Sequence, residues 1–417
     1  MKPLPPLINT FFTRAGLAAG PRETKGKAEA GPARRSYCHV PLAIRRRPYE
    51  SRRVDLETFK KLPLGGVDRR ALVGALARDG ARVATELLDR QRQAIRPAGT
   101  AIAKDAAVLI LGGSNGITRA LAVQLLFGER ARVYAVHFDS EKMQIGPFHV
   151  RAIKAAAESE GLTARFWNED ATKPQVMEQV LAALEADGVR AVHLVNGIAA
   201  GATKRYAEHG PTQVKDLDVA FDPVLQVPDF SRPENVRRVG LVDVEVATDV
   251  DIERTNRFMG SSSLLWAEPL AHAGMLARGE SVVAFCDYDY PADDPVYAMG
   301  PLAGAKILQR KTMGEIEERF GARTARLCYP PVATTALGAI PGGLLMYALS
   351  AQILEERGQH RDVMELGALS MAIFQPGWEG SELRLDEAYK AALPEFHQRK
   401  DRLTSADLPG AFDRLYA

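Results

Sequence analysis

The chain has 417 residues, 46% of them hydrophobic, and a formal net charge of +2. That length allows one large α/β domain with elaborations or two domains, the apolar fraction suffices for a substantial core, and the near-neutral balance carries no nucleic-acid signature. The charge is uneven: residues 1–53 hold 12 Lys/Arg against 3 Glu, a net +9, which leaves the remainder at −7.

In chain order, residues 1–53 are rich in Arg, Ala, Gly and Pro. They read as a basic, disordered extension, with a transit peptide of similar composition as the alternative. Residues 54–98 form a helical segment. Within it, 69–95 reads as one or two amphipathic helices with Leu72, Leu76, Val83, Leu87 and Leu88 turned inward. Apolar strand-like runs then alternate with helices: strands at 107–111, 132–137, 163–167 and 191–195, helices at 118–127, 148–159 and 173–186. Residues 197–244, rich in Asp, Pro and Arg, are expected to be irregular and to spread near a cofactor. A helix interrupted near Gly260 follows over 251–276, then a strand at 281–285, a helix at 301–320, a strand at 324–329 and helix from Pro341 to about 372. Residues 376–417 are polar, with little sustained pattern. Doubly buried strands alternating with helices specify an α/β fold over 99–375, a Rossmann-type doubly wound parallel sheet with helical elaborations.

No run reaches the roughly 18 apolar residues of a membrane span. Cys38, Cys286 and Cys328 show no pairing or metal-ligand spacing, which fits a reducing compartment; Cys286 and Cys328 sit in apolar runs and read as inert core residues. A cytoplasmic protein is expected, without membrane or nucleic-acid partners, as a monomer or small homo-oligomer. No metal cluster and no nucleophile–base constellation stands out.

Val108 to Thr118 reads as a buried strand entering a glycine turn that opens a helix. Such a turn lets a diphosphate approach the backbone, while the helix offers free N–H groups and the positive end of its dipole. Gly112, Gly113 and Gly116 supply it, with Ser114, Asn115 and Ile117 as further candidate contacts. The third glycine expected at the helix start is Thr118, which implies a slightly larger gap between helix and strand. The second strand ends in His137-Phe138-Asp139, and a carboxylate at that tip accepts both ribose hydroxyls of NAD and repels the extra phosphate of NADP. NADH is therefore the expected cofactor. Asp170 and Ala171 close the third strand, where adenine would lie, and Ile198 and Ala199 follow the fourth.

Tyr297 and Lys306 form a Tyr-x8-Lys pair. Nine positions along one helix place two residues on opposite faces roughly 13 Å apart. Gly300-Pro301 lies between them, however, and proline favours the first helical position while disfavouring helix before it. Tyr297 is thus expected in an approach loop and Lys306 in the second turn of a helix starting near Pro301, which allows them to converge.

These pieces, with Ala284-Phe285, Met259-Gly260 and Val332-Ala333-Thr334 followed by Ala339-Ile340-Pro341, resemble in kind and order the trans-2-enoyl thioester reductases. These are the FabV-type enoyl-acyl-carrier-protein reductases and the trans-2-enoyl-CoA reductases, large relatives of the short-chain dehydrogenases. The resemblance spans about residues 84–375, roughly 70% of the chain. It implies reduction by NADH of the C2=C3 bond of a trans-2-enoyl thioester, carried by CoA or acyl carrier protein. Tyr297 would then donate the proton to the thioester enolate, and Lys306 would hold the nicotinamide ribose and draw the phenol pKa towards neutrality. Val332, Ala333 and Thr334 would line the nicotinamide, and the apolar stretch from Ile340 to Leu349 would wall an acyl channel. Three departures stand out. The family's second tyrosine, ten residues before the first, is Asp287, with Tyr288 adjacent; Asp287 and Tyr288 are candidate substrate contacts, and a buried Asp287 would stay protonated or define another substrate. The turn carries Ile117 and Thr118 in place of an aromatic residue and glycine. About 60 extra residues precede the matched region. The alternatives are a carbonyl reductase or alcohol dehydrogenase of the short-chain type and a non-catalytic NAD-binding sensor; docking of the basic N-terminus on acyl carrier protein is a further expectation.

Overall fold

The computed structural model describes residues 56–100 and 102–415. The expected basic extension, and any docking role for it, lie outside the described residues. The first long element is α1 (Arg69–Ala94), a single helix capped by the Asp68 carboxylate, which accepts from the amides of Arg70 and Ala71 at 2.9 and 3.0 Å. Leu72, Leu76 and Leu88 are buried along it, and Val83 and Leu87 are half-buried.

The alternating region follows as β1 (Ala106–Leu111), α2 (Gly116–Val123), β2 (Arg132–His137), α3 (Gly146–Ser159), β3 (Ala164–Asn168), α4 (Pro174–Ala186) and β4 (Ala191–Asn196). Next come β5 (Thr212–Val219), β6 (Val236–Val244), α5 (Asp249–Thr255), α6 (Ser262–His272), β7 (Val282–Asp287), α7 (Pro301–Phe320) and β8 (Arg323–Cys328). The chain continues through α8 (Gly343–Glu356), α9 (Val363–Leu369), β9 (Glu382–Arg384) and α10 (Glu387–Arg402). The main sheet has order β3-β2-β1-β4-β7-β8-β9, with every pair parallel. The two-residue period of β1 divides the core. Val108 and Ile110 pack with α2 and α9, whereas Ala107, Leu109 and Leu111 pack with α4, α6 and α7. The Rossmann-type expectation holds. Strand order reverses between β1 and β4, so the crevice for a ligand opens at their carboxyl ends.

The helix expected from Pro341 to about 372 is broken after Glu356, where Gly358 (φ +63°) separates α8 from α9. Two further segments differ from expectation. Residues 212–244 contain an antiparallel pair, β5 and β6, rather than irregular chain throughout. In β6 the buried positions Gly240, Val242 and Val244 alternate, but the Pro- and Asp-rich connection between the strands hides that period in the sequence. The polar C-terminal stretch supplies β9 and α10. β9 spans three residues, too short for a hydrophobic period, and backbone pairing with β8 holds it. α10 buries Tyr389, Ala392 and Phe396 at helical spacing against the apolar face of α8.

Thr118 is accommodated at the start of α2 by its neighbours. Its Oγ1 donates to the Gly112 carbonyl at 2.7 Å, and its methyl occupies space at Gly197, where an added Cβ would lie 2.2 Å from it. The small residue missing from α2 is thus provided by the end of β4. Gly197→Ala is expected to cost about 1–3 kcal/mol through overpacking, and less in a Thr118→Ala background. Denaturant unfolding of the two single variants and the double variant measures this, and additive effects would contradict the compensation.

Candidate active site

A cleft of about 540 Å3 lies at the carboxyl ends of the central strands. It is bordered by the turn after β1, the tips of β2 and β3, residues 197–201, both Tyr297 and Lys306, and the segment from Tyr329 to Met346. The turn needs glycine at two points. Gly112 (φ +86°) passes so close to the Gly197 carbonyl that a Cβ would lie 3.0 Å from its oxygen, and Gly116 (φ +59°) opens α2 with nothing nearer to an added Cβ than the Thr334 methyl at 3.5 Å. Ser114, Asn115, Gly116 and Ile117 border the cleft. Gly113 does not. It faces inward, where an added Cβ would lie 2.8 Å from the Cβ of Ala135, so its smallness serves helix–sheet packing. Ala333 lies away from the cleft as well and lines a smaller neighbouring cavity, while Val332 and Thr334 border both.

At the tip of β2, Phe138 is 73% exposed and Asp139 is turned back. Asp139 Oδ2 lies 2.7 Å from His137 Nδ1, and Asn168 brackets the Asp139 backbone with bonds of 2.8 and 2.9 Å. Gly146 leaves room for this carboxylate, since a Cβ there would meet Oδ2 at 2.4 Å. Glu169 and Asp170 border the same end, so the pocket there is acidic. Asp170 Oδ1 accepts from the Thr172 amide and hydroxyl at 2.8 and 2.7 Å, and the Ala171 carbonyl accepts from Trp266 Nε1 at 2.8 Å. Ile198 and Ala199 border the passage between the two ends.

Gly300 and Pro301 act as the spacing predicts. α7 starts at Pro301, Tyr297 precedes it in a tight turn, and both Tyr297 and Lys306 reach the cleft. Asp294 builds the turn, its Oδ1 accepting from the amides of Val296 and Tyr297 at 2.9 and 2.7 Å. The Asp294-Pro295-Val296 sequence could have signalled this role. The Tyr297 ring stacks on Tyr290 at 4.4 Å between centroids and meets Tyr288 edge-on at 5.1 Å. Burial, helped by the Asp294 charge, pushes the phenol pKa above its ordinary value. This corrects the expectation that Lys306 draws it towards neutrality, and it leaves Tyr297 a protonated donor. Lys306 Nζ is instead engaged by the Cys286 carbonyl at 2.5 Å and Gln309 Oε1 at 3.2 Å, and burial pulls its own pKa down.

Asp287 borders the cleft, yet its side chain is fully buried among cations. Oδ2 accepts from Arg326 Nε at 2.7 Å and Arg310 Nη2 at 2.8 Å, and Oδ1 lies 4.0 Å from Lys306 Nζ. The structure therefore surrounds the Asp287 side chain with cationic partners. Asp289 extends the network to Arg326, Arg384 and Lys390. Tyr288 lies just past the end of β7, so the strand alternation no longer turns it away. Its hydroxyl pairs with Tyr389 at 2.9 Å, and its ring borders the cleft. On the far wall, Ile340 precedes α8, and its carbonyl accepts from Lys61 Nζ at 2.6 Å while Lys61 pairs with buried Asp216. Burial pushes the thiol pKa values of Cys286 and Cys328 up to about 11 and about 12; Cys328 is a buried core residue as expected, whereas Cys286 is half-buried and borders the cleft.

The family model for the trans-2-enoyl-CoA reductase catalytic region matches residues 142–370. The chain belongs to this family. An enoyl-acyl-carrier-protein reductase (NADH) of Edwardsiella ictaluri is 28% identical over 307 residues, covering 70% of this chain and 75% of the relative. A protein of the same description from Chromohalobacter salexigens is 27% identical, covering 70% and 74%. The trans-2-enoyl-CoA reductase of Treponema denticola in complex with NAD superposes with a TM-score of 0.65 at 20% identity, covering 85% of this chain and 89% of that one, a likeness of fold. The family match takes in Tyr297, Lys306 and the wall from Val332 to Ile340 and begins after the glycine turn. Among the described residues no group of acidic, His or Cys side chains is arranged to hold a metal, and no helix is long and apolar enough to cross a membrane.

Proposed function

We propose that this member of the family uses NADH to reduce the C2=C3 double bond of a trans-2-enoyl thioester in fatty-acid metabolism. The observation that carries the reading is the convergence, at one cleft of a Rossmann-type sheet, of Tyr297 from the approach turn and Lys306 from α7. The residues fit a dinucleotide: a glycine turn at the start of α2, an acidic tip on β2 and a passage floored by Gly197 and Ile198 between them. When bound, NADH supplies a hydride to the β-carbon of the substrate. Everything else falls to the chain's own groups. Gly112, Ser114, Asn115, Gly116 and Ile117 hold the diphosphate against the α2 N-terminus. Phe138 and Asp139 take the adenosine end, Asp170 and Ala171 flank it, and Ile198, Ala199, Val332 and Thr334 border the nicotinamide half. Lys306, with Nζ fixed by the Cys286 carbonyl, serves the ribose.

Tyr297 hydrogen-bonds the thioester oxygen as charge develops there and then supplies a proton. A donor aimed at charge that exists mainly in the transition state raises turnover rather than mere affinity. Its raised pKa keeps the hydroxyl protonated at neutral pH. Tyr288 takes the place of the family's second tyrosine beside it, and Asp287 acts through Lys306. Ile340, Leu337, Gly343 and Met346 line the apolar wall for the acyl chain. CoA and acyl carrier protein are both admissible carriers.

Turnover with a trans-2-enoyl-CoA, followed as loss of NADH absorbance, tests the reading against the same acyl group presented as a 3-ketoacyl thioester. Enoyl-specific oxidation is expected; oxidation by the ketone alone would identify a carbonyl reductase, and NADH binding with no turnover a sensor. The acidic β2 tip adds an expectation of its own. Asp139→Ser should raise the Kd for NADH about tenfold, the cost of one hydrogen bond to a charged group, with a smaller effect on NADPH. Fluorescence titration with both cofactors measures it, and equal losses would contradict a ribose contact.

A further inference from the structure

A second cavity, of about 230 Å3, adjoins the cleft behind the glycine turn, sharing Asn115, Gly116, Val332, Thr334 and Thr335 with it. Its walls otherwise come from α1, α3, the loop of residues 225–227, α8 and residues 360–364. Arg119, one turn into α2, lines it and is 5% exposed. Arg119 has no salt bridge among the described residues, and its Nη1 is buried without a hydrogen-bond partner. His149 of α3 lines the same cavity, is 4% exposed and has an unpartnered Nδ1.

The neighbouring charges are already engaged. His360 Nδ1 lies 2.7 Å from Glu355, Arg361 lies 3.4 Å from Glu365, and the Asp362 carboxylate caps α9 by accepting from the Glu365 amide at 2.8 Å. Burial without a counter-charge pushes the Arg119 pKa down to about 10, which leaves the group cationic at neutral pH. Burial and the Arg119 charge hold His149 well below its ordinary value, so it is a neutral imidazole able to donate one hydrogen bond. A buried cation is costly unless paired. Here no pairing group is found among the described residues while an open cavity sits beside Arg119, at the N-terminal end of a helix whose dipole favours an anion.

We infer that this cavity is an anion site for a phosphoryl group, with Arg119 as its charge partner and His149 as a second donor. Guanidinium geometry suits phosphate oxygens, which accept two parallel bonds. Two sources present that chemistry beside the cleft, the diphosphate of the dinucleotide and the phosphates of a CoA or phosphopantetheine carrier; the second rests on the enoyl thioester reading. A free phosphate ion presents it as well.

Calorimetric titration of the full chain with NADH, CoA and inorganic phosphate, in wild type and Arg119→Gln, tests the site without relying on turnover. Loss of at least about tenfold in affinity for NADH assigns the site to the cofactor, for CoA alone to the carrier, and for inorganic phosphate alone to the free ion. His149→Ala should weaken the same ligand by a smaller factor, and it serves as the test should Arg119→Gln fail to fold. The folded Arg119→Gln chain should melt no lower than wild type in the absence of ligand, since it loses an uncompensated charge. Unchanged affinity for all three ligands in a folded Arg119→Gln and in His149→Ala would overturn the inference, and so would a lowered ligand-free melting temperature with affinities intact, which marks a structural arginine. Failure of enoyl turnover with an Arg119-dependent phosphate affinity would remove the reductase reading and leave the anion site standing.

Discussion

Tyr297→Phe is expected to lower turnover on a trans-2-enoyl thioester by about 10²–10⁴-fold, the range for removal of a proton donor or an oxyanion-binding group. The Kd for NADH should stay within about twofold. The change removes one oxygen and leaves the ring, which packs against Tyr290 and Tyr288 at centroid distances of 4.4 and 5.1 Å. The turn should persist too, because Asp294 builds it through the backbone amides of residues 296 and 297. A fall in turnover with binding intact therefore separates the chemical role of the hydroxyl from a structural one. Retention of more than about a tenth of the wild-type rate would transfer the proton-donor role to another group. Tyr288 is the first to test, although its hydroxyl is already committed to Tyr389 at 2.9 Å.

Asp287→Ala is expected to destabilise the fold by about 3 kcal/mol, since removing one partner of a buried ionic cluster leaves the other charges uncompensated. Arg326 bears most of that cost, with a side chain 14% exposed and a 2.7 Å bond to Oδ2; Arg310, at 40% exposure, can turn to water. Lys306 loses the carboxylate that lies 4.0 Å from its Nζ, and burial already disfavours its charge. Weaker NADH binding should therefore accompany the loss of stability. Chemical denaturation measures the first and fluorescence titration the second. Asp287→Tyr, which restores the family's residue type, should be no better, because it strips the same counter-charge and adds bulk to a filled site; recovery requires Arg326 to be replaced as well. A loss below about 0.5 kcal/mol on Asp287→Ala, the level of an ordinary surface change, would contradict the network's role.

Much of this site is legible in local sequence, because its parts are set by local rules. Gly300-Pro301 dictates where α7 begins, so the awkward spacing of Tyr297 and Lys306 resolves from the sequence alone. Apolar runs buried on both faces mark β1, β2 and β4, and the turn after β1 follows from its glycines. The illegible parts depend on distant partners. Asp287 looks like an acid intruding on an enolate until Arg310 and Arg326, 23 and 39 residues away, are folded against it. Thr118 looks like a defect in the glycine turn until Gly197 meets it across the crevice. Arg119 reads as an ordinary helix residue, and its isolation emerges only when α3 and residues 360–364 close around it. The β5–β6 pair and β9 were hidden for a different reason, a long polar connection in one case and a three-residue strand in the other.

The proposed reaction sends hydride to the β-carbon of an enoyl thioester while Tyr297 serves the oxygen. Its most direct test is turnover of a trans-2-enoyl-CoA with NADH deuterated at the transferring position, followed by mass and magnetic-resonance analysis of the product. Deuterium at C3 of a saturated acyl-CoA, lost together with turnover in Tyr297→Phe, is the predicted result. An unreacted enoyl-CoA, alongside deuterium transfer to the carbonyl carbon of a ketone or aldehyde, would contradict it.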